Sequence, residues 1–225
     1  HFHTPITVRE QEEKEVLLLF TPNSSEGYSF TVYSRMRPEA DTWLPHVTGT
    51  VETVEQPFET IHLEALKERC ADKDVLFTDA DHKKHGGYLI FGERWRNIRQ
   101  VMAGKAEGLA VIELPEKYAA DLDDYHLHPG MLDSATSFLL GFLDKTEMFI
   151  PLSYESLAVY GKMPRRIYSY CKYLDVEFPQ DGLASFDIQI MDEAGRVLVE
   201  IRNYTMIAVS GSVAERIGDG NRQSI

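Results

Sequence analysis

Tyr125-His126-Leu127-His128-Pro129-Gly130-Met131-Leu132-Asp133-Ser134-Ala135-Thr136-Ser137-Phe138 sets a proline just ahead of an apolar segment that contains one carboxylate. Everything after Asp133 in this stretch is small or greasy. A charge in such company has to be met by a specific partner or be kept for chemistry. The plainer alternative is an Asp in the first turn of a helix, stabilised by the positive end of the helix dipole. The spacing predicts a helix over Met131–Leu143, and the residues around it decide between the two readings.

Outward from that helix, strand signals dominate. Val16–Phe20, Tyr28–Ser34 and Trp43–Val54 combine β-branched and aromatic residues with polar turns between them, which predicts three consecutive antiparallel strands. Glu59–Cys70 carries Ile61, Leu63, Leu66 and Cys70 at helical spacings and reads as a helix. Asp79–Gly87 is polar and ends in two glycines, a loop, and Tyr88–Phe91 is a short apolar strand. Arg96–Ala103 and Glu107–Leu114 read as a hairpin that turns at Gly104-Lys105-Ala106-Glu107. Strands follow at Ser156–Tyr160, Ile167–Leu174, Leu183–Met191 and Arg196–Ile207, with a turn at Asp192-Glu193-Ala194-Gly195. Many strands with few helices give an α+β fold built on antiparallel sheets. A long apolar helix against a curved antiparallel sheet is a hotdog, and two halves of similar texture imply a double hotdog. The division expected is an N-terminal hotdog with its connecting helix over residues 1–75, a C-terminal hotdog carrying Asp133 over 76–209, and a Gly-, Ser- and charge-rich linker tail over 210–225.

Bulk properties narrow the function. With 23 basic against 36 acidic residues, the net charge of −13 disfavours nucleic acid and anionic membranes as partners. No 18-residue apolar stretch exists to span a bilayer. Cys70 and Cys171 stand far apart without a CxxC or zinc spacing, which predicts free thiols in a reducing, cytoplasmic compartment. No His, Cys, Asp or Glu spacing predicts a metal site. The opening His1-Phe2-His3-Thr4-Pro5 is no signal peptide, and without an initiating Met the sequence is expected to start within a longer polypeptide.

Six motifs in order carry a resemblance across residues 2–209. His128-Pro129-Gly130-Met131-Leu132-Asp133 resembles the His-Pro-Ala-Leu-Leu-Asp signature of dehydratase domains in modular polyketide synthases. Phe91-Gly92-Glu93-Arg94-Trp95 is similar to that family's Tyr-Gly-Pro-x-Phe, and Trp43-Leu44-Pro45-His46-Val47-Thr48-Gly49 to its Trp-x-x-His-x-x-Gly. Ile150-Pro151-Leu152-Ser153, Ala184-Ser185-Phe186-Asp187 and Asp192-Glu193-Ala194-Gly195 resemble the stretches that follow the second helix. The resemblance implies a double hotdog that dehydrates a 3-hydroxyacyl chain held on the phosphopantetheine arm of an acyl carrier protein. No other cofactor is implied. Partners would be the carrier protein and other synthase domains; family domains often pair, although no residue here establishes a homodimer.

That elimination needs a base for the α-proton and an acid for the departing hydroxyl, each worth roughly 10²–10⁴-fold. The resemblance carries the acid to Asp133. Its apolar neighbours Met131, Leu132, Ala135, Phe138 and Leu139 would raise its pKa, while a helix amino terminus would lower it. The family's base lies in a His-x-x-x-Gly-x-x-x-x-Pro motif that this sequence lacks, so the first hotdog is expected to be incomplete at its N-terminus, without its opening strand, central helix and base. His46 matches a structural family position. Pro129 turns His126 and His128 elsewhere, and His128 reads as a turn cap; His82 and His85 sit in the polar loop, and His1 and His3 are terminal. The family's Gln or His four residues after the acid is Ser137 here, which would reach the carboxyl or the substrate hydroxyl only through water, if at all. Substrate-binding positions implied are Ser137, Phe91, Trp95 and Pro151; Arg94, Arg96, Arg165 and Arg166 would meet the carrier protein or the arm's phosphate, or else form a solvated surface. A degenerate, non-catalytic double hotdog, a double-bond-shifting relative and a cyclisation-directing relative stay open as alternatives.

Overall fold

A computed structural model of the chain describes residues 1–23, 27–37, 42–54, 59–78, 91–142, 148–174 and 182–209. The predicted loop at 79–87, residues 88–90 of the predicted short strand, and the tail at 210–225 lie outside these residues. By its internal contacts the chain divides into two units, His1–Glu55 with Glu147–Ser153 and Met206–Ile225, and Gln56–Thr146 with Tyr154–Thr205.

The first unit is built on a three-stranded antiparallel sheet of β1 (Glu13–Pro22), β2 (Tyr28–Arg37) and β3 (Leu44–Val51) in that order. All three predicted strands are present, and the first extends further at both ends. Phe20 pairs with Phe30 across β1 and β2, their rings 6.2 Å apart. Phe30 in turn faces Gly49 on β3, where an added Cβ would come within 2.7 Å of the ring. A glycine there lets the aromatic lie flat across the strand. His46 is buried, its Nε2 2.7 Å from Ser34 Oγ and its Nδ1 3.0 Å from the Thr4 carbonyl, so it staples the N-terminal segment to β2 and β3. Val16, Leu17, Leu18, Leu19 and Phe20 are all exposed, and among the described residues this unit contains no helix.

The second unit contains α1 (Leu63–Arg69), β4 (Lys73–Leu76), β5 (Ile98–Ala103), β6 (Glu107–Glu113), α2 (Asp121–Asp124), α3 (Pro129–Ser137), β8 (Ser156–Val159), β9 (Arg166–Tyr173) and β10 (Leu183–Met191). The long β11 (Val197–Val209) begins here and ends in the first unit, which also holds β7 (Met148–Ser153). The sheet order is β4-β5-β6-β9-β10-β11-β7, with β8 paired to β11 off that path. The hairpin β5–β6 matches the prediction; β4 and β7 were not foreseen, because four residues of mixed polarity and a strand containing Pro151 give little periodicity.

β6 explains the layering. Its run Gly108–Ile112 is buried without a break, the pattern of a strand covered on both faces. Leu109 and Val111 join Leu66 of α1 and its C-cap Cys70, together with Met102, Tyr168, Tyr170, Met191 and Val197, in one apolar cluster. Gly108 faces the other way, and a Cβ on it would stand 2.7 Å from Leu139 and 3.2 Å from Phe138. So α3 and the 3-10 turn that continues it, Phe138–Phe142, lie on one face of the sheet and α1 on the other. Ser169 of β9 ties the inner face to the helix by donating to the Ala135 carbonyl at 2.7 Å. Because α1 packs in this core, the contact boundary falls at 55/56, whereas the sequence placed it at 75/76. The predicted helix 59–70 begins later, at Leu63; Thr60 forms a bridge with Arg196 instead. The turn after β10 holds Gly195 at φ +77°, and a Cβ there would meet the Ile61 carbonyl oxygen at 2.1 Å, so both conformation and space require glycine.

Candidate active site

The apolar helix enters through Pro129 at its first turn, with His128 as its N-cap. His128 is 1% exposed; its Nδ1 accepts from the Met131 N–H at 3.3 Å, and its Nε2 lies 3.4 Å from Asp121 Oδ2. The capping reading of His128 therefore holds. Asp133 is the fifth residue of α3 and lies outside its first turn. The dipole reading fails for that reason, since the effect fades beyond the first turn.

Asp133 opens instead into a cavity of about 460 Å³ walled by Val75, Phe77, Phe91, Trp95, Val101 and Phe138, among others. Asp133 is an exposed residue that water reaches through this cavity, although most of the walls around its carboxyl are apolar. Desolvation accordingly raises its pKa, and a hydrogen bond from Trp95 partly opposes that rise. The Trp95 Nε1–H donates to Asp133 Oδ2 at 2.7 Å.

Trp95 reaches this position through a short 3-10 turn, Glu93–Trp95, which sets its ring beside Phe91 in a tilted pair with centroids 6.3 Å apart. Asn97, fully buried, clamps the turn to α3. Its Nδ2 donates to the Arg94 carbonyl and to the Gly130 carbonyl, both at 2.9 Å. Gly130 permits the approach, since a Cβ there would press on the Arg94 carbonyl at 3.3 Å and on the Trp95 ring at 3.4 Å. Asn97 was not singled out from the sequence; an amide two residues after Trp95 was the available signal. Glu93, which departs from the family's proline, pairs with Lys117 and accepts from the Tyr118 hydroxyl at 2.8 Å, anchoring the same turn from outside.

The remaining predicted residues divide. Phe91 and Trp95 line the cavity with Asp133, and so does Ser137. The Ser137 hydroxyl, however, donates to the Asp133 main-chain carbonyl at 2.7 Å and not to the carboxyl, because a short side chain one turn on reaches its own helix first. Pro151 is exposed in β7, in the other unit, and does not line the cavity. Of the arginines, Arg94 makes a two-pronged ion pair with Asp121 and lies over the Tyr118 ring. Arg165 pairs with Glu113 at 3.1 Å and Glu116 at 2.9 Å, and Arg166 with Glu113 at 3.3 Å. Arg96 alone of the four lines the cavity, with Glu93 3.5 Å away. Among the described residues no imidazole lines the cavity, and no cluster of His, Cys, Asp and Glu could hold a metal ion. His82 and His85 lie outside the described residues.

Tyr204 of β11 adds a group the sequence did not flag. Burial pushes its phenol up to about 12, a hydrogen bond with Thr136 offsets part of that, and the charge of Asp133 adds to it.

Comparison with known proteins identifies the family. The family described as polyketide synthase dehydratase N-terminal domain matches residues 71–216. Polyketide synthase PksM of Bacillus subtilis (strain 168) is 28% identical over 218 residues, 92% of this chain and 5% of that protein. PksN of the same organism is 24% identical over 98% of this chain and 4% of its own. The chain thus spans about a twentieth of the curated relatives it matches. Among solved structures, a trans-AT PKS dehydratase domain from Brevibacillus brevis aligns with a TM-score of 0.82 at 22% identity, covering 93% of this chain and 74% of that one. An N-terminal dehydratase from the difficidin assembly line aligns at 0.79 and 20% identity, covering 99% of this chain and 80% of the other. These neighbours bear out the double hotdog. With the matched region reaching from β4 past β11 and containing the whole Asp133 cavity, the chain belongs to the polyketide synthase dehydratase family.

Proposed function

We propose that the chain eliminates water from a 3-hydroxyacyl thioester presented on the phosphopantetheine arm of an acyl carrier protein. The observation that carries this is a single carboxyl, Asp133, set in an apolar cavity that raises its pKa. A base takes the α-proton, the electron pair forms the Cα–Cβ double bond, and the Cβ–O bond breaks. The hydroxyl leaves as water with the proton of Asp133, which becomes a carboxylate. Two protons move and no electrons are exchanged with a cofactor. Among the described residues no imidazole lines the cavity, and the resemblance to the family implies a His as the base. A carboxyl in water is mostly ionised at neutral pH; desolvation favours the protonated form that this role needs. Arg96 lines the cavity wall, and in this reading its guanidinium meets the arm's phosphate.

Elimination measured on 3-hydroxyacyl thioesters by the native polypeptide that contains this chain tests the reading. Turnover abolished by Asp133→Asn supports it, and turnover unaffected by that change removes Asp133 from the reaction. If the unaltered polypeptide turns over no hydroxyacyl thioester of any chain length, the non-catalytic double hotdog is the better reading.

A further inference from the structure

The geometry points to Trp95 as the positioning residue for Asp133: its indole N–H holds Oδ2 and leaves the transferable proton on Oδ1. This deepens the elimination reading and rests on it. The indole nitrogen is a donor only and cannot accept a proton from the acid. At 2.7 Å it occupies Oδ2. Oδ1 has no hydrogen-bond partner among the described residues, while the side chain borders the cavity. A proton on Oδ2 would crowd a second donor onto the same atom, so it resides on Oδ1. Once Asp133 has given that proton to the leaving hydroxyl, the N–H meets a full carboxylate, and a hydrogen bond to a charged acceptor is about twice as strong as a neutral one. The interaction is therefore stronger after proton transfer than before it, the condition for speeding the step.

Other residues around the acid do not supply this bond. The Ser137 hydroxyl is spent on the main chain, and Thr136 also reaches the Asp133 carbonyl, at 3.2 Å. The titratable and charged groups facing the carboxyl are Arg96 of the cavity wall and Tyr204 of β11. Trp95 is held for the role: Asn97 fixes its turn to α3, and Phe91 lies beside the ring in a tilted pair.

The test separates this inference from the reaction itself. The sequence has two tryptophans, so the 225-residue chain labelled with ¹⁵N-tryptophan gives two indole N–H signals. One of them is expected to move as Asp133 ionises, to disappear in Trp95→Phe and to become insensitive to acidic pH in Asp133→Asn. Two indole signals that ignore the Asp133→Asn change overturn the inference, whether or not the polypeptide eliminates water. In the elimination assay Trp95→Phe keeps the ring and loses the donor. It is expected to lower kcat by ~10- to ~100-fold, the worth of one hydrogen bond to a charged group, with KM little changed. The alkaline limb of kcat is also expected to move to higher pH, because the acid must be protonated and loses the bond that favoured its ionised form. A slower variant whose limb does not move assigns Trp95 a packing role only. If the indole signal tracks Asp133 and no thioester is turned over, the elimination reading fails and the Trp95–Asp133 pair remains.

Discussion

Asn97 offers the sharpest test of how the site is held together. It is fully buried, and its Nδ2 donates to two carbonyls, those of Arg94 and Gly130, at 2.9 Å each. Its Oδ1 has no hydrogen-bond partner among the described residues. The amide can sit only this way round, since flipping it would set an oxygen against two carbonyl oxygens. Asn97→Ala removes two hydrogen bonds and is expected to cost about 2–3 kcal/mol at any pH. Asn97→Asp keeps the shape but replaces the donor with an oxygen. The carboxyl introduced at 97 would be buried and would face two carbonyls, so its pKa in the folded chain rises above the unfolded value of about 3.9. Below that value both states are protonated, and the acid form can still donate to one carbonyl, so the variant is destabilised by about one lost bond. As pH rises, the unfolded chain releases its proton and the folded chain does not. The deficit then grows by about 1.4 kcal/mol per pH unit until the folded-state pKa is reached. Urea unfolding of both variants and the unaltered chain at several pH values from 4 to 8 measures this. Equal losses for the two variants at every pH would refute the argument that a buried donor joins the Trp95 turn to α3.

Two further outcomes are expected. Gly108→Ala pushes a methyl toward Leu139 and Phe138 and should cost about 1–3 kcal/mol by overpacking, seen as a lower urea midpoint with an unchanged slope. Asp192 is held below the ordinary carboxylate range: burial pushes its pKa up, and the Arg196 guanidinium with the Arg196 and Ala194 N–H groups outweighs that. Its contribution is therefore present above about pH 4 and lost as pH falls through the lowered value, so Asp192→Asn should be less stable near neutrality and show a shallower acid loss in pH-dependent unfolding.

Local pattern carried much of this protein. Strand alternation in Tyr28–Arg37 and the unbroken apolar run of β6 are backbone-scale signals, and they place the sheets. The Pro129–Asp133 motif with its apolar surroundings marked the helix and the acid, and the His128 cap followed from its place beside a proline. The sequence alone thus determined the class of fold, the family and the carboxyl on which the proposed chemistry turns. Tertiary structure decided what surrounds that carboxyl. Whether Asp133 meets a helix dipole or an apolar cavity depends on where the helix starts and on what walls come from Val75, Phe77 and Phe91, far away in sequence. Trp95 meets Asp133 across 38 residues, and Asn97 meets Gly130 across 33. Ser137 turned to its own backbone, and Pro151 fell in the other unit. The reason is physical: periodicity records which face of an element is buried, whereas hydrogen-bond partners and desolvation depend on distances that exist only once remote segments pack together.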